Sequence, residues 1–274
     1  MVRILVTNDD GILAPGILPL AQAMTKFGDV SVIAPDTEYS GAGAAIGAIW
    51  ERVPHVTRHE LDGIDEAWAV NGPPALAVMY ARLGAFGEPF DLVVSGINPG
   101  ANVGRSVYHS GTVGACLSGR NGGWSGLAVS QASVGWGVEG QAWEEVVKLQ
   151  KWHTAATVAS AFVEGFVSAP PTEVVIANLN VPNVELDELA GWSITEVGQL
   201  PPRSMSKAAL VARESEPTEF DVDVTWGEPI DLPEHTDGGT IERNRVSLTY
   251  LTRLEREHRD DLGAAEAALD DLLS

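Results

Sequence analysis

Short apolar runs alternate with helix-spaced segments through residues 2–180, and this alternation limits the fold more than any other feature of the chain. VRILVT (2–7), DVSVIAP (29–35), EAWAV (66–70), DLVVSG (91–96), GLAVSQ (126–131) and TEVVIANLN (172–180) read as strands. Between them, 17–26, 74–83, 112–119 and 143–166 read as helices, with Leu18, Ala21 and Met24 on one face of the first. Strands this apolar need both faces of their sheet covered. The pattern therefore predicts an α/β fold, a mostly parallel sheet with helices on both faces. Residues 42–56 break the alternation and are expected to form a hairpin or an excursion. Beyond Pro182 the segments WSITEV, FDVDVTW and RVSLTYL alternate more strictly, with Pro201, Pro202 and Pro233 between them. This predicts a core over 1–182 and a smaller, antiparallel β-rich extension over 183–274. The last piece, 254–272, reads as an acidic helix with Leu262, Leu269 and Leu272 as a partial apolar stripe.

Composition narrows the function classes. With 274 residues, 45% of them apolar, the chain can bury a substantial core. It holds no apolar run long enough for a transmembrane helix. It opens directly on a strand-like run and charged NDD, which predicts a cytoplasmic protein. The single cysteine, Cys116, has no internal partner, and no Cys/His cluster suggests zinc. His55 and His59 flank strand-like sequence and read as surface residues. A net charge of −21 repels nucleic acid polymers. A phosphate ester entering such a molecule must meet concentrated local positive charge.

Ligands of open α/β sheets bind at the carboxyl ends of the strands. Three such ends are polar here. The first strand runs into Asn8, Asp9, Asp10 and Gly11; the second into Asp36, Ser40 and Gly41; the strand at 91–96 into Asn98, Gly100, Asn102 and Gly104. An isolated Asp-Asp pair more often means one helix cap and one solvated carboxylate. Ser40 and Asn98, converging from separate loops, complete an all-oxygen set suited to Mg²⁺, Mn²⁺ or Ca²⁺. At about 4 Å and an effective dielectric near 20, two like charges repel by about 4 kcal/mol. A phosphate dianion beside Asp9 and Asp10 would meet several such repulsions, and a divalent cation reverses their sign.

Ser110, Gly111 and Thr112 precede a helix whose first amides lack intrahelical partners. Alone they read as an ordinary N-cap; with a cation site nearby they read as a phosphate site. A lone His109 is more often structural than a general acid. GAGAAIG (41–47) carries one residue too many for a dinucleotide fingerprint and follows the second strand, which excludes a nicotinamide cofactor.

TNDDGILAPGI (7–17), APDTEYSGAG (34–43), DLVVSGINPGANVG (91–104) and SGTVGA (110–115) resemble the signature blocks of the SurE family. NLNVP (178–182) and TDGGTIERNRVSLTYL (236–251) resemble its distal segments. The resemblance implies a Rossmann-like core and one divalent cation per subunit, held by Asp9, Asp10, Ser40 and Asn98. It implies hydrolysis of nucleoside 5′-monophosphates, in some members also 3′-monophosphates and short polyphosphate. It also implies a homodimer or homotetramer whose C-terminal segments embrace a neighbour. Residues 37–39 and 72–77 depart from the family pattern, which bears on substrate preference.

On this reading Asp9 or Asp10 orients an attacking water, while Asn102, Ser110, Gly111 and Thr112 hold the phosphate oxygens. A covalent phospho-aspartate route stays open. Two rivals differ in class. A haloacid-dehalogenase-like phosphatase wants two Asp separated by one residue and a downstream Lys, and here the Asp pair is adjacent. A non-catalytic nucleotide sensor would use the same pocket without turnover.

Overall fold

The computed structural model describes residues 2–47, 53–133, 143–200, 205–213, 218–254 and 261–273. In chain order the elements are β1 (Val2–Thr7), α1 (Ile17–Met24), β2 (Gly28–Pro35), β3 (Val56–Leu61), β4 (Ile64–Val70), α2 (Pro74–Arg82), β5 (Leu92–Pro99), α3 (Gly111–Arg120) and β6 (Ser125–Gln131). There follow α4 (Trp143–Lys148), α5 (Trp152–Ser168), β7 (Ile176–Val181), β8 (Trp192–Ile194), β9 (Met205–Ala212), β10 (Phe220–Trp226), α6 (Asp237–Ile241), β11 (Val246–Leu251) and α7 (Gly263–Leu273).

Nine strands form one sheet in the order β3-β4-β2-β1-β5-β6-β7-β11-β8. From β4 to β7 all neighbours are parallel. Strand β1 is buried on both faces because alternate side chains enter different cores. Ile4 and Val6 pack with α1 and α5, whereas Leu5 packs on the α2–α3 side. The chain leaves β1 toward β2 and later returns to β1's other side as β5. The topological switch point therefore lies between β1 and β5, where the polar strand ends open.

Several sequence expectations are corrected. The hairpin lies later than 42–56: β3 and β4 pair antiparallel around Gly63, whose φ of 73° suits the turn. Residues 42–47 and 53–55 are loop, and the remainder of that stretch lies outside the described residues. The helix expected over 143–166 is two helices. Gln131 donates to the Lys151 carbonyl, Asn183 accepts from the Lys151 N–H and donates to the Leu149 carbonyl, and these bonds capture the backbone between α4 and α5.

The strands after Pro182 also divide differently from expectation. Only β9 and β10 form a separate antiparallel ribbon. Strand β11 joins the main sheet antiparallel to β7, and β8 lies parallel to β11 at its edge. The terminal helix forms over α7, and all of its side chains are exposed where described. Among the described residues no helix is long and apolar enough to cross a membrane.

Candidate active site at the ends of β1 and β5

Asp9 lies two residues beyond the end of β1 and is almost wholly buried, at 3% exposure. Its position is set from two sides. Its carbonyl accepts from the Tyr39 N–H at 2.7 Å, which ties the loop after β2 to the end of β1. Its Oδ1 accepts from the Thr112 hydroxyl at 2.5 Å. The amides of Gly111 and Thr112, at the start of α3, also face this carboxylate. Gly111 permits the approach, since a Cβ there would lie 2.6 Å from Asp9 Cβ and 2.8 Å from Oδ2. Burial nevertheless dominates and holds the Asp9 carboxyl above its ordinary pKa, the hydroxyl and amide bonds only partly opposing it.

Asp10 is the less protected neighbour. Both of its carboxylate oxygens are shielded from solvent, and neither has a hydrogen-bond partner. Desolvation first, then the charges of Asp9 and Glu38, push this carboxyl up to about 8. An unpaired buried carboxylate is costly and calls for a cation or a proton. The turn after it is rigid: Asn8 Nδ2 donates to the Gly11 carbonyl at 2.9 Å and Asn8 Oδ1 accepts from the Gly11 N–H at 3.2 Å. Gly11 has φ of 105°, a conformation that other residues rarely adopt.

Asn98 stands at the end of β5, beside β1. Its Nδ2 donates to the Gly100 carbonyl at 2.6 Å, which leaves Oδ1 as the amide's ligand atom. Ser40 is exposed, on a loop held across the start of α3 by the bond from Gly43 N–H to the His109 carbonyl, 3.0 Å. Among the described residues no group of three or more His, Cys, Asp and Glu side chains is arranged for a metal. A cation here would instead draw on two carboxylates, a hydroxyl and an amide oxygen. That hard, all-oxygen set fits Mg²⁺, Mn²⁺ or Ca²⁺, and the unpartnered Asp10 oxygens supply the charge it needs.

The remaining predicted residues separate into two groups. Ser110 caps α3, its hydroxyl accepting from the Val113 N–H at 3.1 Å, and Gly111 and Thr112 meet Asp9 as described. Asn102 is instead turned into a buried polar cluster. Its Nδ2 donates to Ser130 Oγ at 2.8 Å, its N–H to Asn180 Oδ1 at 2.8 Å, and its carbonyl accepts from Asn178 and Asn180. His109 is exposed beside the cap.

Sequence reading passed over the roles of Ser130, Asn178, Asn180 and Asp237. Two asparagines at i and i+2 in an otherwise apolar strand point the same way, and that spacing was the available signal for a buried polar row. Asp237 is fully buried: Oδ2 accepts from the Gly104 N–H at 2.9 Å, and Oδ1 from Gly198 at 2.9 Å and Gly238 at 2.8 Å. It fastens the loop after β5 to the C-terminal segments.

The crystal structure of the SurE protein from Aquifex aeolicus has the same fold. It superposes with a TM-score of 0.74 at 26% identity, covering 98% of this chain and 100% of that one. A family model described as survival protein SurE matches residues 4–203, well over half of the sequence. This chain belongs to the SurE family, whose members are in general metal-dependent nucleotidases and phosphatases.

Proposed function

We propose that the protein is a divalent-metal-dependent phosphomonoesterase that converts nucleoside 5′-monophosphates to nucleoside and phosphate, with 3′-monophosphates and short polyphosphate as further substrates. One observation carries this reading. Two adjacent carboxyl groups follow β1 at the switch point, Asp9 buried and Asp10 with both oxygens shielded from solvent, and the Asp10 oxygens have no hydrogen-bond partner.

Asp9, Asp10, Ser40 and Asn98 would hold the cation. When bound, it supplies positive charge that offsets the charge developing on the phosphoryl oxygens. The chain's own groups do the rest. Asp9, fixed by Thr112 and the first α3 amides, or its neighbour Asp10, orients the attacking water. Ser110, whose hydroxyl hydrogen is not used by its cap, presents a donor to the phosphate, while Thr112 and the first α3 amides fix Asp9. Asn102, its amide engaged by Ser130, anchors the loop after β5 from behind with Asn178 and Asn180 and does not itself face the phosphate.

In this reading the catalytic core is 1–182, completed by β8 and β11, and the β9–β10 ribbon and α7 within 183–274 serve oligomerisation. The exposed apolar side chains Met205, Leu210, Phe220 and Val222 on the β9–β10 ribbon, and Leu269 and Leu272 on α7, support a homodimer or homotetramer. An isolated two-stranded ribbon is marginal in water, so a second copy has a structural use for this surface. We place the protein in the cytoplasm.

Phosphate release from a panel of nucleoside monophosphates, with Mg²⁺, Mn²⁺ or chelator, for wild type and Asp9→Asn, tests the proposal. Metal-dependent release that disappears in Asp9→Asn is expected. Metal-dependent nucleotide binding without release would make the protein a sensor, and trapped phospho-aspartate would replace water attack.

A further inference from the structure

Beside Asp10 the fold leaves a cavity of about 210 Å³, between the loop after β1, the end of β5 and the start of α5. Asp10 and Glu38 line it together with Pro15, Ile97, Pro99 and Trp152, and among the described residues no Lys or Arg does. It occupies the crevice between β1 and β5, where an open α/β sheet binds its ligand. An indole among proline and isoleucine side chains offers a flat, weakly polar surface suited to a planar ring. Trp152 is held in place: Gly16 passes so close that a Cβ on it would lie 2.9 Å from indole Cζ3. Glu38 is exposed, yet its charge reaches Asp10. An ionised carboxylate accepts hydrogen bonds and donates none. It therefore favours a ring bearing an amine and disfavours one with a carbonyl at the same place.

We propose that this cavity takes the base of a nucleotide whose phosphate lies at Asp9 and Asp10, with Trp152 as the stacking wall and Glu38 as the acceptor that selects amino-bearing bases. The inference rests on the phosphomonoesterase reading above and adds the substrate class: adenine and cytosine monophosphates over those of hypoxanthine and uracil.

The test compares kcat/KM for AMP against IMP and for CMP against UMP, pairs that differ at the exocyclic group, amine against carbonyl, and at the adjacent ring nitrogen, an acceptor in AMP and CMP and an N–H in IMP and UMP. Wild type is expected to favour the amino member about tenfold, the effect of one charge-assisted hydrogen bond. Glu38→Ala and Glu38→Gln bring both ratios close to one. Trp152→Leu raises KM for the nucleotides more than for ribose 5-phosphate, which has no base. Calorimetric titration with adenosine and inosine in the absence of metal reads the cavity independently of turnover.

Equal kcat/KM within each pair in wild type, or ratios that survive both Glu38 substitutions, overturns the assignment while the phosphatase reading stands. Adenosine binding that is lost in Trp152→Leu, with no phosphate released from any nucleotide, leaves the cavity assigned and removes the phosphatase reading. Neither binding nor release removes both.

Discussion

The Thr112 hydroxyl donates a 2.5 Å hydrogen bond to Asp9 Oδ1, joining the start of α3 to the end of β1 inside the protein. Thr112→Val keeps the shape and deletes the donor. A buried charge-assisted bond contributes about 1.5–3 kcal/mol, so kcat/KM for a nucleoside monophosphate is expected to fall by roughly tenfold or more. Steady-state kinetics at saturating Mn²⁺, with thermal unfolding as the folding control, measures it. Unchanged kinetics would show that Asp9 needs no such tether.

Gly111→Ala acts on the same carboxylate by volume. The added methyl would sit 2.6 Å from Asp9 Cβ, well inside van der Waals contact, so the Asp or the helix must shift. Activity is expected to drop by about a hundredfold, since small misplacements of reacting groups are costly, while α3 itself gains from alanine's helix propensity. Kinetics and circular dichroism on one sample separate the two effects.

The Asp10 carboxyl holds its proton up to about pH 8 in the folded chain, against an ordinary value of 3.8. Between these values the folded state binds more protons than the unfolded state, so this group lowers stability as pH rises through the window. In chelator, Asp10→Asn is expected to match wild type near pH 4 and to exceed it at pH 8, by on the order of 3 kcal/mol. Mn²⁺ should reverse the order, because a cation replaces the proton only on the carboxylate. Thermal unfolding at both pH values, with and without metal, decides it; a variant less stable than wild type in chelator at pH 8 contradicts the account.

Asp237 accepts three backbone N–H groups while fully buried. Asp237→Ala strands all three and is expected to cost at least about 3 kcal/mol. Asp237→Asn can serve Oδ1's two partners but turns an amine toward Gly104. It should cost less overall, yet loosen the loop carrying Asn102 and raise KM more than it lowers kcat. Chemical denaturation and amide exchange at Gly104 report the two consequences.

Sedimentation of the full chain should give a dimer or tetramer. Replacing Leu210 and Phe220 on the exposed ribbon by Asp, or deleting 261–274, should yield a smaller species. A monomer at all concentrations for wild type removes the assigned use of 183–274.

The sheet core was legible because its strands are apolar throughout and end in polar residues: VRILVT running into Asn8, Asp9 and Asp10 marks both the element and the polar edge of the sheet. Destination was harder. Residues 192–197 and 245–251 alternate as a separate ribbon would, and period alone does not say which sheet a strand enters. The break between α4 and α5 was equally hidden, because it depends on Gln131 and Asn183, distant in sequence. Within the candidate site, the juxtaposition of the Asp9–Asp10 pair with the start of α3 was suggested by spacing, but that Gly111 and Thr112 bond to Asp9 was not. Inward rotation of Asn102 depends on Asn178 and Asn180, and the Asp237 clamp spans 133 positions, beyond any local pattern.

The late arrival of β11 and Asp237 has a consequence for synthesis. Translation delivers β1 and the two carboxylates after it well before the strand and clamp that steady the loop after β5. A nascent chain can pair β1, β2, β4 and β5 early, because those contacts need nothing downstream. The loop from Gly100 to Gly104 gains its final anchor only after residue 237 has left the ribosome. Until then the growing polypeptide carries Asp9 and Asp10 without the anchor of the neighbouring loop, a built-in delay between pairing of the sheet and completion of the site.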